Sequence, residues 1–223
     1  MEEDPGNPVL TSDMENPDEL QRCGHADIVC TQNGEWYMVH LCGRPPKGSR
    51  QCVLGRETAI QKMMWTEDNW LRMADGSNLA KLEVPESSLP EYPVEKTPDF
   101  DDFDGDELGN FYYSPRIMPQ RFADVKARKG YVRIRGQESR TSLNKVSILA
   151  RKLTSVYARI TTKMEFVPEV HQHSAGLILY YDNMNYINLR KYYSELWTEC
   201  IVHYPSGKWC ENRISEYQNP CRG

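Results

Sequence analysis

The stretch G-H-A-D-I-V-C-T-Q-N-G-E-W-Y-M-V-H-L-C-G-R-P, residues 24–45, decides the fold of the first part of this chain. Two apolar runs, residues 26–31 and 36–41, lie on either side of Asn33-Gly34. Asparagine followed by glycine between two such runs is the strongest local signal for a β-hairpin, because both residues tolerate the positive φ of a tight turn. The stretch therefore predicts two antiparallel strands joined at this turn.

A third and a fourth strand are predicted directly after the hairpin. Residues 43–55 contain prolines and glycines and are predicted to form a loop. Residues 58–65 alternate between two faces, as side chains of a strand do, and the turn T-E-D-N at 66–69 leads into a short run at 70–73. Four short antiparallel strands in succession are typical of one β-propeller blade, which cannot bury both of its faces alone.

The remaining chain predicts a linker followed by an antiparallel β-sandwich. Residues 83–99 contain four prolines among glutamates and serines, which is typical of an extended linker. From residue 100 onward, alternation with period two recurs between turn residues, as in half-buried strands. No helical pattern of useful length occurs, so the predicted fold class is all-β. The strand candidates are residues 131–135, 146–151, 155–166, 175–181 and 186–193.

The tail, residues 197–223, shows no sustained alternation and holds three of the seven cysteines. If the codons of this segment are read one nucleotide later, and suitable codons are chosen among those that the genetic code permits, the translated sequence contains a strand, an Asn-Gly turn and a second strand. We therefore hypothesise that the chain is frameshifted near Leu196. A genuine irregular tail is the alternative, and sequencing the locus distinguishes the two.

Composition and charge exclude several classes of function. The chain has 223 residues, 39% of them hydrophobic and 26% charged, which is ordinary for a globular protein. A net charge of -5 argues against nucleic-acid binding, since no basic surplus exists to neutralise phosphates. No apolar run of about 18 residues occurs, so no membrane span is expected. The start M-E-E-D-P lacks signal-peptide features, which predicts a cytoplasmic location, and the irregular residues 1–22 suggest an internal or truncated start.

The cysteines do not predict a disulfide framework or a zinc site. Their number is odd, and the chain is longer than the small secreted domains that depend on disulfides. Zinc sites usually contain cysteine pairs two to four residues apart, and no C-x-x-C occurs. Reduced, partly buried thiols are expected at Cys23, Cys30, Cys42, Cys52, Cys200, Cys210 and Cys221.

Several motifs resemble one enzyme family. The pieces G-H-A-D-I-V, N-G-E-W-Y-M-V-H-L-C-G-R-P and L-G-R-E-T-A-I-Q-K resemble the end of the catalytic domain of family-43 glycoside hydrolases, the β-xylosidase and α-L-arabinofuranosidase group. D-D-F-D-G at 101–105 and S-A-G-L-I-L-Y-Y-D-N-M-N-Y at 174–186 resemble the β-sandwich that follows this domain in β-xylosidases. The resemblance covers roughly residues 5–196.

The resemblance implies a fold and a reaction. Residues 1–82 would be the last blade or so of a five-bladed β-propeller catalytic domain, 83–99 the linker, and 100–223 the β-sandwich domain. The family hydrolyses xylo- or arabino-oligosaccharides with inversion, using a general acid, a general base and a third carboxylate. These three lie upstream of G-H-A-D in the family. No catalytic residue is therefore predicted within this chain, and the chain alone is expected to be inactive.

The resemblance also implies two substrate-binding residues, His25 and Arg56. His25 matches a histidine at the centre of the active-site funnel, close to the sugar or to a structural calcium, and Arg56 matches an arginine that binds substrate hydroxyls. No cofactor is required, and calcium at His25 is a secondary expectation. Judged from the residues alone, both would be ordinary surface groups.

Other polar and aromatic residues are predicted to have structural roles. Asp27 and Glu57 are next to the two site residues, but alternation points Glu57 away from Arg56, and Asp27 is expected to pair with the backbone or a neighbour. His40 is predicted to pack in the core. The tryptophans are predicted to pack between this blade and its neighbour, and the histidines are predicted to lie in an exposed loop. These residues are Trp36, Trp65 and Trp70, and His171 and His173.

Two alternatives to an enzyme portion remain open at this point. In the first alternative, the chain is a non-catalytic carbohydrate-binding or structural β-sandwich module. In the second alternative, it is an inactive remnant of an enzyme. In every case an isolated blade exposes apolar faces, which favours association and makes a homo-oligomer conceivable.

Overall fold

The computed structural model describes residues 2–193 and, for the strand at 200–205, the backbone. Within these residues the regular structure is β, apart from the three-residue 3-10 helix Pro119–Arg121. The predicted all-β class is therefore confirmed. The residues divide into two compact units. The first unit contains Met1–Lys96 and Leu153–Ala158, and the second contains Thr97–Lys152 and the described residues from Arg159 onward.

The first unit contains one antiparallel sheet, whose strands follow the order of the chain. The strands are β1 (Gln21–Cys30), β2 (Trp36–Gly43), β3 (Glu57–Trp65) and β4 (Leu71–Met73). All four predicted strands are confirmed. The predicted turn is also present, since Gly34 has φ 78° and its amide donates to the Thr31 carbonyl at 2.9 Å. Glycine adopts this left-handed conformation without steric cost.

Three methionines form the core on one face of this sheet. Met38, Met63 and Met73 are buried against one another, with Val9, Leu10, Trp36 and Leu71 packed around them. Met63 and Met73 are register partners on neighbouring strands, so their side chains share a face. Flexible thioethers suit this role because they fill the irregular space under a short, twisted sheet.

The irregular N-terminal segment is part of this core. The Thr11 amide donates to the Asn78 carbonyl at 2.7 Å, and the Ala80 amide donates to the Thr11 carbonyl at 3.0 Å. Farther upstream, the Asp4 carboxylate forms an ion pair with Arg72. Burial alone would raise the pKa of Asp4, but hydrogen bonds from Arg72 and the Gly6 amide bring it below its ordinary value. The segment lacks regular structure, as predicted, yet it is held to the sheet.

A buried polar pair joins β2, β3 and the segment after β4. His40 and Gln61 are the largest fully buried side chains of the described residues. The Nδ1–H of His40 donates to the Leu41 carbonyl at 3.0 Å, which leaves Nε2 to accept from the Gln61 amide at 3.3 Å. That amide also donates to the Lys81 carbonyl and accepts from the Lys81 amide. The prediction that His40 packs in the core is confirmed.

The Pro-rich linker is mostly exposed, as expected, but one residue fixes it to the hairpin. The Ser88 amide and hydroxyl donate to Glu35 Oε2 at 2.8 and 2.7 Å, and Asn33 Nδ2 donates to the Ser88 hydroxyl at 2.9 Å. The other Glu35 oxygen pairs with Lys62 Nζ at 2.7 Å. The hydrogen bond from Lys62, followed by those from Ser88, lowers the pKa of Glu35 from 4.5 to about 2.

The substitution Glu35→Gln is expected to lower the melting temperature of the first unit at pH 7. A lowered pKa means that the carboxylate stabilises the fold fully above pH 4.5, and that this contribution is lost as pH falls through about 2. The difference between wild type and variant therefore shrinks between pH 4.5 and 2. Thermal unfolding at several pH values measures it, with the exposed linker substitution Glu91→Gln as control. A difference that is equal at pH 7 and pH 2.5 contradicts the prediction.

The second unit contains two small antiparallel sheets among the described residues. One pairs β5 (Ala123–Asp124) with β6 (Arg133–Ile134), and the other has the order β7 (Ser174–Tyr180), β8 (Tyr186–Tyr192), β9 (Cys200–Pro205). The candidates at 131–135, 175–181 and 186–193 are therefore confirmed, although the first is shorter than predicted.

Two strand candidates in the second half of the chain are wrong. Residues 155–166 alternate in polarity but form no strand, and Val156, Tyr157 and Ile160 are exposed. Alternation produces a strand only where a neighbouring strand is available for hydrogen bonding. In residues 146–151 the alternate side chains Val146 and Ile148 are buried, but pairing is limited to one bridge between Tyr113 and Ala150.

The tail contains a strand that its irregular pattern did not predict. β9 pairs with β8 over six residue pairs, from Ile187 with Pro205 to Tyr192 with Cys200. Its sequence C-I-V-H-Y-P includes β-branched and aromatic residues that favour strands, but it is too short for a clear alternation. The other residues of 197–223 lie outside the described part, and the frameshift near Leu196 stays a prediction.

Candidate functional site

His25 lies at an irregularity of β1. The pairing of β1 with β2 shifts register twice, between Gln21 and Gly24 and again between Gly24 and Asp27. His25 falls within the second shift, has φ 48°, and is exposed. Bulges are frequent next to active sites because they redirect a side chain, and a non-glycine residue with positive φ is held there by its surroundings at an energetic cost.

Arg56 lies at the same end of the sheet. It follows Gly55, whose φ is 79°, and directly precedes β3, whose first residue Glu57 pairs with Cys42 near the end of β2. The central strand β2 separates Arg56 from His25. From strand spacing and rise, the two backbones are roughly 10 Å apart across the sheet and about 10 Å along it. The structure thus places both predicted residues at one sheet end, without direct contact.

Neither side chain has a partner in the described part of the chain. Within residues 2–193, no hydrogen bond or ion pair involves the imidazole of His25 or the guanidinium of Arg56, and both residues are exposed. Arg44, Arg72 and Arg128, by contrast, are bound to carboxylates. The five N–H donors of Arg56 and both ring nitrogens of His25 are therefore available to a ligand.

The neighbouring carboxylates are occupied. Arg44 donates to Glu57 through Nε at 3.1 and 3.0 Å and through Nη2 at 2.7 Å. Glu57 thus binds Arg44, and its predicted orientation away from Arg56 stays a prediction. The hydrogen bond to Glu57 raises the pKa of Arg44. Asp27 accepts a hydrogen bond from the Ile28 amide at 2.8 Å, as predicted for a carboxylate with a structural role.

The described residues do not form a calcium site around His25. Calcium takes six to eight oxygen ligands, and within residues 2–193 no three His, Cys, Asp or Glu side chains lie close enough together to hold a metal ion. Asp27, the carboxylate nearest to His25 in the sequence, binds a backbone amide. The described residues do not fit calcium by themselves, and calcium at His25 stays a prediction.

Other candidate residues have structural surroundings. Trp36 packs on the methionine core and meets Trp65 edge-on, with ring centroids 5.7 Å apart. His171 and His173 are exposed beside a turn before β7, as predicted. Within the described part of the chain, no helix is long and apolar enough to cross a membrane.

The first unit contains four free thiols, two of which have raised pKa values. Cys23, Cys30, Cys42 and Cys52 are free, and Cys42 is buried. Burial raises the pKa of Cys42 to about 11 and, less strongly, raises that of Cys23. A protonated thiol is a poor nucleophile and a poor metal ligand, so Cys23 and Cys42 are not catalytic candidates.

One candidate site was missed by sequence reasoning. Phe100, Phe103 and Phe111 line a concavity of the second unit together with carboxylates of the D-D-F-D-G motif. In the sequence this motif indicates only the family resemblance. The available signal was the alternation of aromatic and acidic residues at 100–111.

Comparison with known proteins identifies the family. Residues 1–71 match the profile of glycosyl hydrolases family 43, and residues 100–211 match the β-xylosidase C-terminal concanavalin A-like domain. The second match agrees with the β-sandwich predicted for the C-terminal part.

The similar proteins described below are xylosidases. A β-xylosidase of Bacillus subtilis (strain 168) is 37% identical over 86% of this chain and 37% of its own length. A xylan 1,3-β-xylosidase of Vibrio sp is 35% identical over 79% of this chain and 35% of its own length. The crystal structure of a xylan β-1,4-xylosidase from Bacillus halodurans C-125 is 42% identical, with a TM-score of 0.82, over 91% of this chain and 39% of that chain.

The chain matches only the C-terminal part of its relatives. The chain spans only a little over a third of the length of the curated relatives it matches. Both family profiles match in the order expected for the end of such a protein, the hydrolase profile first and the C-terminal domain second. The chain therefore belongs to glycosyl hydrolase family 43 and corresponds to the C-terminal portion of its xylosidase and arabinosidase members.

Proposed function

We propose that His25 and Arg56 bind substrate at the rim of the active-site funnel of an inverting glycosidase that acts on xylo- or arabino-oligosaccharides. The observation that carries this proposal is a pair of exposed side chains at one end of the sheet that have no partner among residues 2–193, with His25 held in a bulge at φ 48°. In this proposal the four-stranded sheet is the last blade of a five-bladed β-propeller.

The exposed apolar residues of the sheet support the blade assignment. Five apolar side chains of β1 and β3 are between 43% and 46% exposed, namely Ile28, Val29, Ile60, Met64 and Trp65. A propeller blade packs its faces against neighbouring blades, and residues of this kind are covered in such an arrangement. When the neighbouring blades are absent, these residues are expected to be exposed, as they are in this structure.

The chemistry divides between this chain and the upstream part of its relatives. Inverting hydrolysis needs a carboxylic acid that protonates the leaving group and a carboxylate that activates water on the opposite face. We assign neither role to this chain. The guanidinium of Arg56 offers a planar fork of donors to vicinal hydroxyls, and His25 offers a donor and an acceptor to the same sugar. Calcium at His25 and a cytoplasmic location remain predictions.

The purified chain alone is expected to show no turnover of aryl xylosides above the blank. A fusion of the upstream part of the Bacillus halodurans relative to this chain is expected to hydrolyse them. The expectation follows from placing the general acid and base in the upstream part. Initial rates of aryl release measure both proteins, and the upstream part without this chain is the control. Turnover by the chain alone would overturn the proposal, and so would an upstream part that is fully active without it.

A further inference from the structure

The second unit contains a concavity of about 280 Å³ close to the start of the domain. All of its lining residues belong to the second unit. Ligand sites for drug-sized molecules are usually about 300–1,000 Å³, so this concavity has room for about one small ring. Its lining combines aromatic rings with carboxylates, and the residues that carry the argument are Phe100, Phe103, Phe111, Asp101, Asp102 and Glu107.

The aromatic floor of the concavity is held in place. The Phe111 and Tyr112 rings have centroids 4.9 Å apart, and Phe103 stacks on Tyr112 at 6.0 Å. The Arg151 guanidinium lies 4.8 Å from the centre of the Phe111 ring. A Cβ atom at Gly109 would collide with the tip of the same ring, so the ring can keep this position only while residue 109 is glycine. Such packing fixes the position of a ring before any ligand arrives.

The polar groups of the concavity keep free acceptors. Asp102 uses Oδ1 to accept from the Asp104 amide at 3.0 Å, and its Oδ2 has no partner within residues 2–193. Glu107 has no partner there at all. Burial, followed by the negative charge of Asp101, raises the pKa of Tyr112 to about 12. Tyr112 therefore stays protonated, and its hydroxyl can donate to Asp101.

Phe100 is the exposed member of the aromatic group. Its side chain is 77% exposed although it borders the concavity. An aromatic face that remains open beside carboxylate acceptors suits a molecule with an apolar C–H face and hydroxyl donors at its edge. The excess of carboxylates disfavours phosphate and other anions by like-charge repulsion.

We propose that this concavity binds one pentose ring of a xylo-oligosaccharide, as a carbohydrate site of the second unit. The ring stacks on Phe100, and its hydroxyls donate to Asp102 and Glu107. The choice of xylose rests on the proposed function. The residues that line the concavity belong to the second unit, whereas His25 and Arg56 belong to the first.

Titration of the full chain with xylotriose tests the proposal. The C–H protons of the sugar are expected to shift upfield in NMR spectra, because they lie over an aromatic ring. Phe100→Ala is expected to remove this shift and to weaken the affinity measured by calorimetry about tenfold. Tyr157→Ala, which removes an 87% exposed aromatic ring outside the concavity, is the matched control and leaves both unchanged. Circular dichroism checks that each variant folds.

Two further arms separate this proposal from its competitors. With Arg56→Ala, binding that persists and remains sensitive to Phe100→Ala supports the second-unit site. Binding that is lost with Arg56→Ala but indifferent to Phe100→Ala overturns this site while supporting the proposed function.

Titration with calcium chloride tests whether the carboxylates of the concavity bind a cation instead of a sugar. Calcium binding without xylotriose binding overturns the carbohydrate assignment, as does an unchanged affinity in Phe100→Ala.

Discussion

Replacing Met63 by alanine is expected to lower the free energy of unfolding of the first unit by about 2–5 kcal/mol. Met63 is 4% exposed and lies between Met38 and Met73, which are also buried. Alanine removes most of the buried side chain and leaves a cavity that β2 and β4, fixed by their hydrogen bonds to β3, can fill only partly. This loss is a large fraction of the stability of a small unit.

Urea unfolding followed by tryptophan fluorescence measures this effect, since Trp36 packs on the methionine core. The matched control is Met14→Ala, which truncates a methionine that is 62% exposed in the same unit. A change within about 0.5 kcal/mol is expected for such a surface position. If Met63→Ala and Met14→Ala unfold at the same urea concentration, the three methionines are not the core of the first unit.

The substitution Arg56→Ala, made in the fusion with the upstream part of the Bacillus halodurans relative, is expected to lower kcat/KM about tenfold to a hundredfold. The estimate corresponds to the loss of one or two hydrogen bonds that involve a charged donor. Arg56 is exposed and has no partner among residues 2–193, so its removal is expected to cost little stability. Lysine is expected to restore little activity, because it lacks the planar fork.

Steady-state kinetics on an aryl xyloside measures the effect, and Arg159→Ala provides an exposed arginine outside the first unit as control. His25→Ala is expected to change kcat/KM in the same direction as Arg56→Ala. If Arg56→Ala and Arg159→Ala behave like wild type, then Arg56 is a solvated surface charge and the substrate-binding assignment fails.

The strands of the first unit were predictable because their signals are local. Asn33-Gly34 specifies a turn through its own backbone preference, and the apolar runs around it supply the strands. The same holds for β7 and β8, whose alternation was read correctly. Residues 155–166 show the limit of such signals, because a regular alternation does not supply a neighbouring strand to pair with.

The ion pairs and polar anchors were not predictable from the sequence. Glu35 binds Ser88 and Lys62, which are 53 and 27 residues away along the chain. Arg72 binds Asp4 over a separation of 68 residues. Contacts of this range depend on how the strands align, and no local pattern records that alignment.

The candidate site was also predictable only in part from the sequence. His25 and Arg56 were predicted through the resemblance of their motifs, whereas their exposure, their lack of partners among residues 2–193 and the φ of His25 are properties of the folded sheet. The concavity around Phe100 was not named, since aromatic and acidic residues in one short segment are also typical of an ordinary turn. Only the folded chain shows that these rings face one space.

By itself, the sequence determined the all-β class, the four strands of the first sheet and the family, because turn chemistry, period-two alternation and motif order act over short stretches. The tertiary structure decided which of the predicted strands found partners, which carboxylates were already bound, and that the side chains of His25 and Arg56 have no partner among residues 2–193. The physical reason is that pairing and burial depend on distance in space, which the order of residues along the chain does not contain.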